Sequence, residues 1–241
     1  MNPSMHDLYQ KTLCNKVSFE GIGLHSGKKS KINLFPADED HGIVFKRVDI
    51  EKNNIVKAIY KNVSSAKLCT TLENENGIKV STVEHLLAAL YISGIDNVMI
   101  EINAEEVPIM DGSAKKFLDL IKEENIKNLS KKRKYLKILS NFEYTEGNKK
   151  MSIEPSNDFE VDFQLDYKNS VIGNQRNIIN FDSDDTTDVS NSRTFCLYED
   201  IEKIKKIGLA KGGSLDNAVV VEKDKVLNDG GLRNKKEFVN H

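Results

Sequence analysis

No apolar run in this sequence approaches the length needed to cross a bilayer. The longest, Leu86 to Ile92, has seven residues, against roughly 20 for a membrane-spanning helix. There is no surplus of positive charge either: 35 Lys and Arg stand against 37 Asp and Glu, a net charge of −2. That balance argues against a nucleic-acid binder driven by phosphate neutralisation. The opening segment MNPSMHDLYQKT lacks an apolar core, so no secretory signal is visible. Cysteine is scarce. Cys14, Cys69 and Cys196 are odd in number, widely spaced and form no CxxC, which reads as reduced thiols in a cytoplasmic protein. What is present suffices for a core: 39% of the 241 residues are hydrophobic and 30% charged, enough for one large domain or two modest ones.

The patterning predicts an α+β protein. Ile32 and Leu34, Ile43 and Phe45, and Val98, Ile100 and Ile102 recur at period two, as in half-buried strands. Leu86, Leu87, Leu90 and Tyr91 form a helical stripe ending at Gly94, and Phe117, Leu120 and Ile121 form a second after DGSA. This mixture is not a strict βαβ alternation and favours layered α+β units. The polar, basic stretch 128–134 reads as a linker between an N-terminal domain, 1–127, and a second domain, 135–241. Strands are expected to resume at 135–139. The best alternation runs through Phe159, Val161, Phe163, Leu165 and Tyr167, with charged or amide residues between them, as in a strand wet on one face. A third helix is expected from about Leu197 to Ile207, stopping at Gly208. The final NKKEFVNH reads as the start of a helix. A second domain closing there would leave apolar surface uncovered, so the sequence is expected to be incomplete at its C-terminus.

Few residues announce chemistry. GIGLHSGKK misses both nucleotide-loop patterns: Gly21 and Gly27 are six apart with Lys29 after Lys28, and Gly23 and Gly27 are four apart. A kinase or reductase built on such a loop is therefore disfavoured. A glycine-rich turn is the simpler reading, with His25 an ordinary turn histidine that still has room to line a site. Glu84 and His85 form the first serious pair. Ser81-Thr82-Val83-Glu84 also fits a capping box, His85 also fits a boundary histidine, and the spacing is not that of HExxH. His241, Cys69 and Thr194 are weaker candidates. Cys69 fits a buried strand residue as well as a ligand or nucleophile, and Thr194 fits a simple β-former. Composition alone establishes no metal site.

Taken together, GIGLHSGK (21–28), STVEHLLAAL (81–90), GIDN (94–97), VPIMDGSA (107–114), SRTF (192–195), GLAKGGSLDNA (208–218) and EFVNH (237–241) resemble the zinc-dependent UDP-3-O-acyl-N-acetylglucosamine deacetylases of lipid A biosynthesis. The segments occur in that family's order and cover nearly the whole chain; TVEH with PIMDGSA is the most specific combination. The resemblance implies two similar layered α/β sandwich domains with the active site between them. It implies a Zn2+ cofactor held by His85 and His241, and a third ligand, an Asp, at position 245, absent from this sequence. A further family histidine and the Lys directly after the second ligand also fall beyond residue 241.

The same resemblance makes Glu84 the general base for metal-assisted hydrolysis of the acetamide and Thr194 a donor to the developing oxyanion. The substrate implied is a UDP-linked, acylated amino sugar. A strand-helix-strand insert at about 196–221 would form the passage for the 3-O-acyl chain, with Ile201, Ala210, Gly213, Leu215, Ala218 and Val220 at wall positions. Phe195 matches an aromatic beside the sugar, and Tyr167 replaces a family Phe near the uridine. Lys149 would face the diphosphate. Cys69 matches a family cysteine near the zinc and is not assigned as a ligand. The expectation is a deacetylase, or alternatively a catalytically silent remnant that still binds UDP-sugar or a partner.

Overall fold

The computed structural model describes residues 8–241; most of the N-terminal segment in which no signal was visible, 1–7, lies outside the described residues. The first half contains β1 (Tyr9–Leu13), β2 (Val17–Ile22), β3 (Lys29–Pro36), β4 (Ile43–Arg47), β5 (Ile55–Lys57), β6 (Val63–Ser65), β7 (Thr71–Glu73), β8 (Lys79–Ser81), α1 (Glu84–Ile92), β9 (Val98–Ile102), α2 (Lys115–Lys122) and β10 (Ile126–Lys132). Five of these strands form one sheet in the order β2-β3-β9-β4-β5, and β6-β7-β8 form a second. Only the β4–β9 pair of the larger sheet is parallel. The alternations expected in this half are all present. Ile32 and Leu34 on β3, Phe45 on β4, and Ile100 and Ile102 on β9 point into one core, which α1 and α2 cover with Leu86, Leu90, Phe117 and Ile121. Phe117 meets Phe19 edge to face at 5.2 Å, a preferred aromatic geometry.

The second half contains β11 (Phe142–Glu146), β12 (Lys149–Ile153), β13 (Glu160–Asp166), β14 (Asn174–Asn180), α3 (Thr187–Asn191), β15 (Phe195–Leu197), α4 (Tyr198–Lys206), β16 (Val219–Glu222), β17 (Lys225–Val226) and α5 (Glu237–Asn240). β11/β12 and β13/β14 are antiparallel hairpins, whereas β15 and β16 pair in parallel across α4. Its core is smaller, built on Ile172, Val219, Val221 and Phe238. The molecule is α+β.

Five local expectations are corrected. The basic stretch 128–134 is largely strand, because β10 pairs antiparallel with β1 and returns the chain to the first half; its charges are spent on that half, Lys131 on Asp40 and Arg133 on Asp96. Residues 133–139 form no strand. Their alternation has no sheet to join, and Leu136 is 91% exposed. The capping box at Ser81 does not form: Ser81 belongs to β8, α1 begins at Glu84 without a side-chain cap, and the Glu84 carboxylate accepts the Thr70 amide instead. On α1 the buried stripe is Leu86, Ala89 and Leu90, while Tyr91 turns outward to meet Phe159 and Phe181 at 5.6 and 5.7 Å. On β13, Leu165 packs onto the second core, but Val161 and Phe163 stay partly exposed.

Candidate functional site

His85 and His241 meet. Their ring centroids lie 5.0 Å apart, although one belongs to the first turn of α1 and the other directly follows α5. His85 is buried, whereas His241 is exposed as a residue although protein atoms crowd its ring. Burial pushes His85 down to about 3, helped by the neighbouring His241, and pushes His241 down to about 4, against hydrogen bonding to the Ser192 backbone. Two neutral imidazoles side by side present the protonation state that ligates a divalent cation. Among the described residues, no set of three His, Cys, Asp or Glu side chains is close enough to hold a metal.

The polypeptide directs these rings by different means in each half. α1 is held by its buried face, so His85 inherits its position from the large core. α5 has only four residues, too few to persist alone. It is latched by Glu237, which is fully buried and takes Arg193 Nε at 2.7 Å, the Arg193 amide at 3.1 Å and the Arg233 amide at 2.6 Å. Phe238 packs against Phe195 at 5.0 Å.

The seam between the halves is formed by the MDGSA turn. The Thr194 amide donates to the Gly112 carbonyl at 2.7 Å, and Arg233 pairs with Asp111 at 2.9 Å. Gly112 has φ +84, and a Cβ there would run into the Asn217 carbonyl, so only glycine permits this close approach. A second contact joins the GLHSG turn to the insert: the Gly212 amide donates to the Leu24 carbonyl and the Lys211 amide to the His25 carbonyl.

Glu84 adjoins His85, and burial raises its carboxyl above the usual range. Phe195 lies 6.4 Å from His241 and 5.7 Å from Tyr167, ring to ring; these three therefore form one aromatic patch. Beyond Tyr167 opens a cleft of about 490 Å³ lined by Asp166, Tyr167, Asn169, Leu197 and Glu199, among others. Thr194 sits between Arg193 and Phe195, its backbone fixed on both sides, the carbonyl accepting from the Val219 amide at 2.7 Å. The wall candidates are dispersed: Val220 is buried on β16 and Ala218 is buried just before it, Ile201 and Ala210 are half-buried, and Gly213 and Leu215 are exposed. Lys149 opens β12 in an exposed hairpin, and no recorded contact joins it to either histidine.

His25 departs from the ordinary turn histidine expected. It is 8% exposed, with no hydrogen-bond partner of good geometry on either ring nitrogen. Desolvation disfavours its charge, yet the Cys69 thiol and Glu106 outweigh it and raise the pKa. Cys69 is likewise lowered, because His25 and the hydroxyls of Thr71 and Thr82 outweigh its burial. Cys69 lies in the loop before β7 rather than within a strand. Sequence reasoning missed Glu106, Arg193, Arg233 and the latch role of Glu237. The available signal was position: each acid directly precedes an apolar segment, VPI or FV, that packs into a core.

The family model for UDP-3-O-acyl N-acetylglycosamine deacetylase matches residues 10–241. The chain belongs to this family. Among its relatives are proteins named UDP-3-O-acyl-N-acetylglucosamine deacetylase. That of Geotalea uraniireducens is 44% identical over 97% of this chain and 76% of its own length. That of Shewanella violacea is 40% identical over 97% and 78%, and that of Saccharophagus degradans is 43% identical over 96% and 77%. The family's members are amide hydrolases by name. No helix among the described residues is long and apolar enough to cross a membrane.

Proposed function

We propose that this chain carries the catalytic machinery of a zinc-dependent deacetylase acting in the cytoplasm on a UDP-linked 3-O-acyl-N-acetylglucosamine in lipid A biosynthesis. The supporting observation is the meeting of His85 and His241, 5.0 Å apart and beside Glu84. The donor set fits zinc as two ligands: both imidazoles are kept neutral by burial, and the hydrogen bond to Ser192 orients the His241 ring. When bound, zinc lowers the pKa of a water and polarises the acetamide carbonyl.

The chain's own residues supply the rest. Glu84, with its raised pKa, takes a proton from water and later delivers it to the departing amine as the C–N bond of the acetamide breaks. The Thr194 hydroxyl, on backbone fixed at the seam, donates to the oxygen on which charge develops. Phe195 and Tyr167 offer ring faces to the sugar and the uracil along the cleft. The β15–α4–β16 unit borders the acyl chain with Ile201, Ala210, Gly213 and Leu215, backed by the packed Ala218 and Val220. Lys149 contributes positive charge towards the diphosphate.

With two ligands and no third among the described residues, the 241-residue chain is expected to bind Zn2+ weakly. The second reading is a silent remnant that keeps the sugar-nucleotide site. One experiment separates them. The chain is extended by the part of the Geotalea relative that it does not match, and acetate release is measured beside the unextended chain. The deacetylase reading predicts turnover in the extended chain that collapses with Glu84→Ala while zinc content holds. A folded, zinc-loaded extended chain without turnover supports the remnant.

A further inference from the structure

Two residues before Glu84, the backbone takes an unusual turn. Thr82 has φ +55, a left-handed conformation that β-branched side chains avoid. Such a conformation persists only where its surroundings over-determine it. Here they do. Thr82 is 2% exposed, and its hydroxyl donates to Glu106 Oε1 at 3.0 Å. The partner is itself immobilised: the Ser81 amide donates to the Glu105 carbonyl at 2.8 Å, and the Val107 amide donates back to Ser81 at 3.0 Å. The same buried carboxylate accepts the His25 amide at 2.8 Å and the Ser26 amide at 2.7 Å. A side chain at Gly23 would run into it. Glu106 therefore ties the GLHSG turn to the residue that launches α1.

We propose that Glu106 and Thr82 form a positioning device: the carboxylate grips Thr82 in its left-handed turn, and that turn sets the directions in which Glu84 and His85 leave the start of α1. Its consequence for catalysis rests on the deacetylase reading; its geometry does not. Neither residue touches substrate or metal in this account. The alternative is that Thr82 merely fills space.

The two ideas predict opposite orders for three substitutions in the 241-residue chain. Thr82→Ser keeps the hydroxyl. Thr82→Gly loses it but adopts positive φ without strain. Thr82→Val keeps the shape, loses the hydroxyl and retains the full strain. Positioning predicts the order Ser, Gly, Val from mildest to worst; packing predicts Val mildest and Gly worst. The readouts are the nuclear Overhauser effect between the His85 and His241 rings and Zn2+ affinity by chelator competition. Thr82→Val should lose the ring-to-ring signal and weaken Zn2+ about tenfold or more. Should Thr82→Val fail to fold, Thr82→Ala against Thr82→Gly makes the same comparison, with Gly the milder under positioning. Val or Ala milder than Gly, or three variants alike, overturns the proposal. Because the ring signal needs no turnover, a chain without hydrolase activity can still pass, and an active one can still fail.

Discussion

The first half places its histidine by mass, the second by a latch. His85 rides on α1, whose Leu86, Ala89 and Leu90 are sealed into a core of more than twenty buried residues. His241 follows a four-residue helix over a core of four, secured by the Glu237–Arg193 pair with side chains 0% and 9% exposed. Apolar packing spreads its contribution over many contacts. A buried ion pair concentrates it in one, where loss of a partner strands the other charge. The same site is therefore robust on one side and brittle on the other.

The sharpest way to break this contrast is Glu237→Ala. Leaving Arg193 buried and unpaired should cost about 3–5 kcal/mol, and hydrogen exchange should show α5 opening while the first-half sheet stays protected. Equal loss of protection in both halves would show that the two sides are not independent. Leu90→Ala should cost a comparable or smaller amount, about 2–5 kcal/mol, read by denaturant unfolding, with the Glu237 latch still protected at low denaturant. Asp111→Asn weakens a partly exposed ion pair at the seam, Arg233 to Asp111; about 1 kcal/mol is expected, so an effect as large as that of Glu237→Ala would relocate the latch to the seam.

The smallest effect is chemical. Cys69 is lowered by its neighbours despite burial, and Cys196 is raised, first by burial and then by Asp200. The nucleophile is the thiolate, so a lowered pKa leaves more of it at neutral pH and a raised one leaves less. Iodoacetamide at pH 7 should label Cys69 before Cys196, with the gap narrowing as pH rises towards 9. His25→Gln should slow Cys69 alone; an unchanged rate would show that the buried imidazole is not what favours the thiolate.

Much of the first half was legible because its strands and helices bury one face each, and periodicity records that directly: Ile32 and Leu34, Val98 to Ile102, Phe117 and Ile121 all fell where expected. The β10 strand was not legible. Its residues are mostly exposed, and an edge strand held by backbone pairing to β1 leaves no apolar signature. The alternation at 135–139 misled for the converse reason, since a pattern without a partner sheet makes no strand. The histidine pair could be named from the resemblance but not from spacing, because the convergence depends on two halves docking. Glu106 and Glu237 left only a faint trace, an acid directly before an apolar segment, because the amides and guanidinium that hold a buried carboxylate are brought together by the fold and not by a local pattern. The Glu84 capping box failed because Thr82 takes the left-handed turn instead of the cap geometry.

The central claim is that His85 and His241 serve one ion. Zinc affinity measured by competition for the parent chain, His85→Ala, His241→Ala and the double variant tests it most directly. Shared ligation predicts that each single substitution removes most of the binding and that the double removes little more. Losses that simply add, or one histidine whose removal changes nothing, would contradict it.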